Sequence, residues 1–321
     1  MQTASNTFRV RLSGKSRIAE GIMALQLRAL PGCQLPAFEA GAHLDLHLAD
    51  GLVRQYSLSN DPGQADYYRL AVLLEAPSRG GSAAVHHALR VGDELTVSQP
   101  RNLFPLDESA DHTALFAGGI GITPMLSMAY RLHRLGASFE LHYCMRNVQS
   151  GAFLAELRES PFARRVQLHI DSEGGDRRRQ FENLKNRNGA NTHAYVCGPK
   201  GYIGFVTGEL ARSGWPDHRV HVEHFQSVPM EGGQAFSVLA RRSNKLIRVA
   251  ADCSIADALC AAGIAVDLSC GQGICGTCLV PVVAGTPEHR DLYQTTEEQQ
   301  AHTQIAVCCS RAASETLVLD I

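Results

Sequence analysis

Several things are missing from this sequence, and each absence removes a class of function. There is no excess of either charge: 30 basic residues face 32 acidic ones, for a formal net charge of −2. A nucleic-acid-binding domain would show a strongly basic face, so nucleic acid is not an expected partner. No run of 18 apolar residues occurs, so no membrane-spanning helix is expected. Met1–Ala19 alternates polar and apolar residues and lacks the apolar stretch of a secretory signal, which places the chain in the cytoplasm. No internal repeat or low-complexity tract appears, and 45% hydrophobic with 19% charged residues excludes a disordered chain.

What is abundant is cysteine, ten in 321 residues. A reducing cytosol disfavours structural disulfides, so a cysteine cluster there reads as metal binding or catalysis. Five of the ten lie between positions 270 and 309.

At roughly 150 residues per domain the length suggests two domains, or three small ones. Residues 8–100 read as β: His43–Leu48 alternates with period two, Tyr67–Leu74 and Glu94–Ser98 are further strands, and Pro31-Gly32, Asp50-Gly51, Asp61-Pro62-Gly63 and Gly80-Gly81 punctuate them. This suggests an antiparallel barrel or sandwich. From 113 to 225 the period changes. Strands at Thr113–Phe116, Phe139–Cys144, Val166–Ile170, His193–Cys197 and Val220–Phe225 alternate with helices at Met125–Leu135, Gly151–Glu159 and Tyr202–Ala211, the pattern of a parallel sheet covered on both faces. The expected division is 1–104, 105–226, a polar Pro/Gly-containing linker at 227–235, and 236–321, the last with a helix at Ser254–Ala262.

The last domain carries the most specific signal. Cys270, Cys275 and Cys278 have the spacing C-x4-C-x2-C, and Cys308 follows after 29 intervening residues, the plant-type [2Fe–2S] ligand pattern. Three thiolates wrapped on one small cluster force tight turns, which Gly271, Gly273 and Gly276 permit. The alternative is zinc, but structural zinc uses two C-x2-C-like pairs and only Cys275/Cys278 forms one. Cys309 competes for the fourth position. Cys308 is preferred on spacing, and because Cys309 in the same strand would point to the other face.

Gly118, Gly119, Gly121, Thr123 and Pro124 form a turn between a strand and a helix. The glycines allow close backbone approach, Thr123 can cap the helix, and Pro124 suits its first turn, so the helix start can receive a pyrophosphate. Asp171 ends the third strand, where a carboxylate can bind an adenosine ribose and repel a 2′-phosphate. An ordinary turn residue is the alternative there, and Arg177, Arg178 and Arg179 are the alternative readers of a 2′-phosphate. Cys197-Gly198-Pro199 marks the ligand-binding edge of the fourth strand, where a thiol can pack beside a nicotinamide. In the first domain Arg54 can hold a phosphate, Tyr56 can stack on a flat ring and Ser57 can hydrogen-bond it. Arg79, Gly80, Gly81 and Ser82 form a second phosphate cradle.

These motifs in this order, with Glu223-His-Phe225, Cys-Cys-Ser-Arg311 and Leu317–Ile321, resemble the phthalate dioxygenase reductase family over essentially the whole chain. That family includes vanillate demethylase reductases and the reductase subunit of carnitine monooxygenase. The resemblance implies an antiparallel flavin-binding β-barrel, a parallel α/β nucleotide-binding domain and a C-terminal β-grasp ferredoxin domain. It implies FMN rather than FAD, since the segment matching Arg79–Ser82 closes around a terminal phosphate. It also implies that Arg54, Tyr56 and Ser57 contact the flavin, that Phe225 covers its ring beside the nicotinamide, and that Asp171 favours NADH. Cys309 departs from the family pattern, in which an apolar residue often follows the last ligand.

Two electrons arrive from NADH as a hydride, whereas an iron–sulfur cluster takes one at a time, so a flavin between them divides the pair. The expected function is the reductase component of a terminal Rieske oxygenase acting on a phthalate- or vanillate-like aromatic acid. The alternatives are the reductase of a carnitine-type monooxygenase, a stand-alone flavin reductase, or a metal-binding structural protein.

Overall fold

Thr7–Ala19 (β1) and Ile22–Ala29 (β2) pair as an antiparallel hairpin that turns through Gly21, at φ 67°. Buried Val10 and Leu12 in β1 face the same interior as Leu25 and Leu27 in β2, the period-two signature of half-buried strands. His43–His47 (β3), Val53–Ser57 (β4), Tyr68–Leu73 (β5) and Glu94–Ser98 (β6) complete a six-stranded sheet in the order β4-β3-β6-β1-β2-β5. Every pairing in it is antiparallel. Its two outer strands meet at one corner, where Ser59 N–H donates to Arg69 O at 2.9 Å, so the sheet curls toward a barrel. A seven-residue helix, Gly81–His87 (α1), starts from Gly80 in the left-handed region at φ 85°.

The second sheet is wholly parallel. His112–Gly118 (β7), Phe139–Met145 (β8), Val166–Ile170 (β9), Thr192–Gly198 (β10) and Val220–His224 (β11) lie in the order β11-β10-β7-β8-β9. β7, β8 and β10 are buried at every position, as strands covered on both faces must be. Ile122–Arg134 (α2) packs on the face containing Leu115, Leu141 and Tyr195, and Lys200–Arg212 (α4) packs on the face containing Phe116, Ala194 and Val196. Strand order reverses between β7 and β10, and in open α/β sheets the ligand crevice lies at that switch point. The helix expected at Gly151–Glu159 is shorter, Leu154–Glu159 (α3), because Phe153 breaks it with a left-handed φ of 60°.

In this computed structural model the described residues are 7–64, 66–75, 80–173, 191–225, 232–268, 271, 273–274 and 276–321. The chain divides into two compact units, Met1–Phe225 and Gln226–Ile321. In the second unit Phe236–Ala240 (β12), Lys245–Val249 (β13), Leu279–Ala284 (β14), Gln304–Ala306 (β16) and Thr316–Leu319 (β18) form a mixed sheet in the order β13-β12-β18-β14-β16. Pro287–Glu288 (β15) and Arg311–Ala312 (β17) pair separately. Ile255–Ala261 (α5) lays Ile255 and Leu259 on Val238 and Leu317, and Ser254 caps it by accepting the Asp257 N–H at 3.0 Å. A second short helix is Thr296–Ala301 (α6). Among the described residues, no helix is long and apolar enough to cross a membrane.

Candidate functional site

On β4, strand alternation puts Arg54 and Tyr56 on one face and Ser57 on the other. β4 is an outer strand, so both faces of its end remain near the sheet margin. Arg54 lies against the start of α1: a Cβ added to Gly81 would sit 2.5 Å from its Nε. Only glycine leaves the guanidinium room there, and the pair forms a compact cationic cradle of the kind a flavin phosphate needs. Ser82, one residue on, accepts the Glu75 N–H at 3.2 Å and fixes that segment to the helix. Burial pushes the Tyr56 hydroxyl up to about 12, so the ring is neutral and apolar enough to lie on an isoalloxazine. Arg79 lies outside the described residues.

Across the switch point the Gly-rich turn is pressed against β10. A Cβ on Gly121 would stand 2.3 Å from the Cys197 carbonyl oxygen, and one on Gly118 would enter the Tyr202 ring at 2.6 Å. Gly198 is pinned under the same ring, 2.9 Å from where its Cβ would be. Gly119, by contrast, is left-handed at φ 53° with nothing within 4 Å of a Cβ, so the turn presents open backbone outward. That is a shape a pyrophosphate fits. Gly121 rather than Thr123 occupies the helix cap, and no side chain caps α2. The expectation that Thr123 caps the helix is therefore corrected: the single-turn helix at Gly119–Gly121 draws Thr123 into the first turn of α2, where its hydroxyl donates to Ile120 O at 3.0 Å. Pro124 does lie in that first turn, and Pro199 caps α4. Asp171 immediately follows β9, and Arg177–Arg179 lie outside the described residues.

At the edge of the switch point, three side chains from the two sheets come together. Ser57 Oγ donates to Glu223 Oε2 at 3.5 Å, and Cys197 Sγ stands 4.0 Å from that same oxygen. Register explains the second contact, since Cys197 on β10 is the direct partner of Glu223 on β11. Burial raises the Glu223 carboxyl to about 8 against a smaller opposing pull from Ser57. Burial and then the neighbouring Glu223 push the Cys197 thiol well up, so it stays a neutral packing group rather than a thiolate. Phe225, just past β11, packs on the core that contains Cys197 and Ile122. Sequence reasoning gave no role to Glu223 or Tyr202. The strand pairing of Glu223 with Cys197 is the signal that finds the first, and the two glycines under its ring find the second.

In the second unit Cys278 and Cys308 are buried, 4% and 7% exposed. Leu279 pairs with Ala306, and Val307 N–H donates to Cys278 O at 3.3 Å, so the two cysteines stand at adjoining strand ends. Gly271, Gly273 and Gly276 are all left-handed, at φ 60°, 74° and 70°, as a chain wrapping a small cluster requires. Cys270 and Cys275 lie outside the described residues. Two buried thiols beside such a loop fit a [2Fe–2S] centre. The argument from strand alternation for Cys308 over Cys309 fails. Residues 307–309 form a turn, and the Cys309 sulfur packs against the loop, 2.5 Å from where a Cβ on Gly273 would be. The preference for Cys308 rests on spacing alone.

Residues 239–313 match the family model of the 2Fe–2S iron-sulfur cluster binding domain. The chain is 44% identical over 314 residues to a vanillate O-demethylase oxidoreductase from Pseudomonas sp. (strain HR199 / DSM 7063), covering 97% of this chain and 99% of that one. It is 38% identical over 318 residues to the carnitine monooxygenase reductase subunit of Escherichia coli (strain K12), covering 98% of each. Among solved structures, phthalate dioxygenase reductase, described as a modular structure for electron transfer from pyridine nucleotides to [2Fe–2S], superposes with a TM-score of 0.79 at 37% identity over 98% of both chains. Fold, motif order and full-length identity agree: the chain belongs to the phthalate dioxygenase reductase family, oxidoreductases that move electrons from a pyridine nucleotide through a flavin to a [2Fe–2S] cluster.

Proposed function

We propose that this protein is the NADH-dependent, FMN-containing reductase component of a two-component oxygenase, working in the cytoplasm. Its electrons pass to a terminal Rieske oxygenase whose substrate is an aromatic acid. The observation that carries the reading is the convergence of Ser57, from the flavin-side sheet, with Cys197 and Glu223, from the nucleotide-side sheet, on one carboxylate oxygen. The higher identity to a vanillate O-demethylase oxidoreductase than to a carnitine monooxygenase reductase supports the aromatic acid.

A flavin held here would supply the means of accepting a hydride and passing its two electrons on one at a time. Over the cycle NADH becomes NAD⁺, releasing one proton and two electrons. Arg54 and the α1 start would hold the flavin phosphate, Tyr56 would support its ring, and the Gly118–Gly121 turn would hold the dinucleotide. Ser57 Oγ donates to Glu223 Oε2, and the carboxyl, raised to about 8 by burial, stays a neutral hydrogen-bonding group at neutral pH; it therefore puts no negative charge beside the site, and the proton released over the cycle leaves to solvent. The neutral Cys197 sulfur, wholly buried, would pack beside the nicotinamide and keep water out. Asp171, at the strand edge, would accept from an adenosine ribose and repel a 2′-phosphate.

The test is an anaerobic titration of the purified protein, followed by flavin extraction and coupling to two oxygenases. The expected outcome is one FMN per chain, with flavin and iron–sulfur absorbance bleached by NADH at concentrations where NADPH does little. Turnover is expected with an aromatic-acid Rieske oxygenase and not with a carnitine-type one. Extracted FAD, a requirement for NADPH, or turnover with the carnitine-type oxygenase alone would each overturn its part of the reading.

A further inference from the structure

The first unit holds two sheets that share no backbone ladder, yet hydride transfer demands that groups bound to each lie about 3–3.5 Å apart. Something must set their mutual position. A shared apolar core, in which Ile22 and Ala71 meet Met125 and Leu126, holds them together without fixing direction, and Arg69, on β5, adds a directional polar bridge. Its backbone carbonyl accepts from Ser59 N–H at 2.9 Å, its Nη2 donates to Ser59 O at 2.7 Å, and its Nε donates to Ser59 Oγ at 3.2 Å. Ser59 is fully buried and lies two residues after Ser57. The same guanidinium then reaches the other sheet: Nη1 and Nη2 donate to the two oxygens of Glu156, on α3, at 2.7 and 2.8 Å. Tyr130, on α2, donates its hydroxyl to Glu156 Oε1 at 2.8 Å. α2 is the helix that begins at the Gly-rich turn.

The arrangement differs from an ordinary surface pair. Both partners are largely covered, 17% exposed for Arg69 and 27% for Glu156, and the fork-to-carboxylate geometry fixes direction as well as distance. The guanidinium also lies 4.6 Å over the ring of Phe153, a residue held at φ 60°, which a phenylalanine rarely adopts. The neighbouring bridge, Arg134 to Asp61 at 3.3 Å, is looser and its arginine is half exposed.

We infer that Arg69, Glu156 and Tyr130 are positioning residues: one guanidinium ties the strand end that carries Ser57 to the helix that starts at the dinucleotide turn, and so sets the hydride-transfer distance. The inference rests on the hydride-transfer reading of the site. None of the three touches the reacting atoms. A loosened clasp should therefore leave each half able to bind its ligand while misplacing one against the other.

The test uses the full-length holoprotein in anaerobic stopped flow, with NADH and with NADH deuterated at the transferred position. NAD⁺ binding, flavin content and melting temperature are measured alongside. For Glu156→Gln, flavin reduction should slow by about ten- to a hundredfold and the deuterium isotope effect should rise, with NAD⁺ affinity within about twofold of wild type. Arg69→Lys should behave alike, since a lysine keeps the charge but not the fork. Tyr130→Phe, which removes one hydrogen bond and keeps the ring, should give a slowing of about two- to threefold in the same direction, and it decides the matter if either charge variant fails to fold. A lowered melting temperature with unchanged reduction rate and isotope effect would reduce the clasp to a structural brace and overturn the inference. If wild-type protein is not reduced by NADH at all, the functional reading fails instead.

Discussion

The two redox sites are assembled by opposite means. Three of the four expected cluster ligands fall within nine residues, Cys270 to Cys278, so local chain geometry alone nearly builds the cluster site. Ser57 and Glu223 are 166 residues apart, and Glu223 and Cys197 are 26 apart; only the folding of two sheets and the register of β10 with β11 brings them together. A locally built site depends on single ligands and little else. A site built at long range depends on every contact that sets one sheet against the other. Damage should accordingly stay local in the first and spread in the second.

The largest effect tests the local half of that contrast. Cys278→Ala removes a buried sulfur from the cluster loop, and a cluster that loses one thiolate of four should be lost. Iron content and the iron–sulfur absorbance should fall on the order of tenfold or more. Flavin content and the rate of flavin reduction by NADH should stay at wild-type level, because the hydride site lies wholly in Met1–Phe225. If NADH reduction collapses together with the cluster, the two sites are not independent and the contrast is broken.

The same difference governs the glycines. A Cβ at Gly121 meets the Cys197 carbonyl at 2.3 Å, a backbone atom that cannot move without disturbing β10. Gly121→Ala should therefore destabilise by about 2–4 kcal/mol, a fall of about 5–15 °C in the unit's melting temperature, and should weaken NADH binding. Gly271 has nothing within 4 Å of a Cβ, and only its left-handed φ of 60° opposes substitution. Gly271→Ala should cost about 1–2 kcal/mol and leave NADH binding untouched. Equal losses from the two substitutions, measured by calorimetry, would show that the distinction between local and long-range construction has no energetic content.

How much was legible beforehand follows the same line. The cluster spacing, the strands at 94–98 and 166–170, and the change of period near residue 113 are local signals, and the structure reproduces those strands residue for residue. Glu223 could be read only as part of a Glu-His-Phe motif, because its weakened acidity comes from burial in the folded protein, and its contacts with Ser57 and Cys197 come from the fold and not from its neighbours in sequence. Arg69 resembles any charged residue of a half-buried strand until Glu156 and Tyr130 are placed beside it. The cap expected at Thr123 and the strand expected through Cys309 fail for one reason: an irregular turn stands in place of a regular start or strand, at Gly119–Gly121 in one case and at 307–309 in the other. Periodicity describes regular elements well and their ends poorly.

The smallest effect is a slope, and it probes the long-range site through a single proton. In an unfolded chain the Glu223 carboxyl titrates near 4.5, whereas in the folded protein burial raises it to about 8. Between those values the native state holds a proton that the unfolded state has released. Stability therefore falls as pH rises from about 4.5 to 8, and this contribution is flat outside that window. Glu223→Gln removes the titration while keeping an oxygen for the Ser57 hydroxyl. Its melting temperature should match that of wild type near pH 5 and exceed it increasingly toward pH 8. Ser57→Ala, which deletes the group that favours the ionised form, should carry the fall in stability further above pH 8 without changing its slope below that pH. Parallel curves for wild type and Glu223→Gln from pH 5 to 8 would mean that the carboxylate is already charged. Glu223 would then be a charged acceptor for the Ser57 hydroxyl and not a neutral acid lodged between the two sheets.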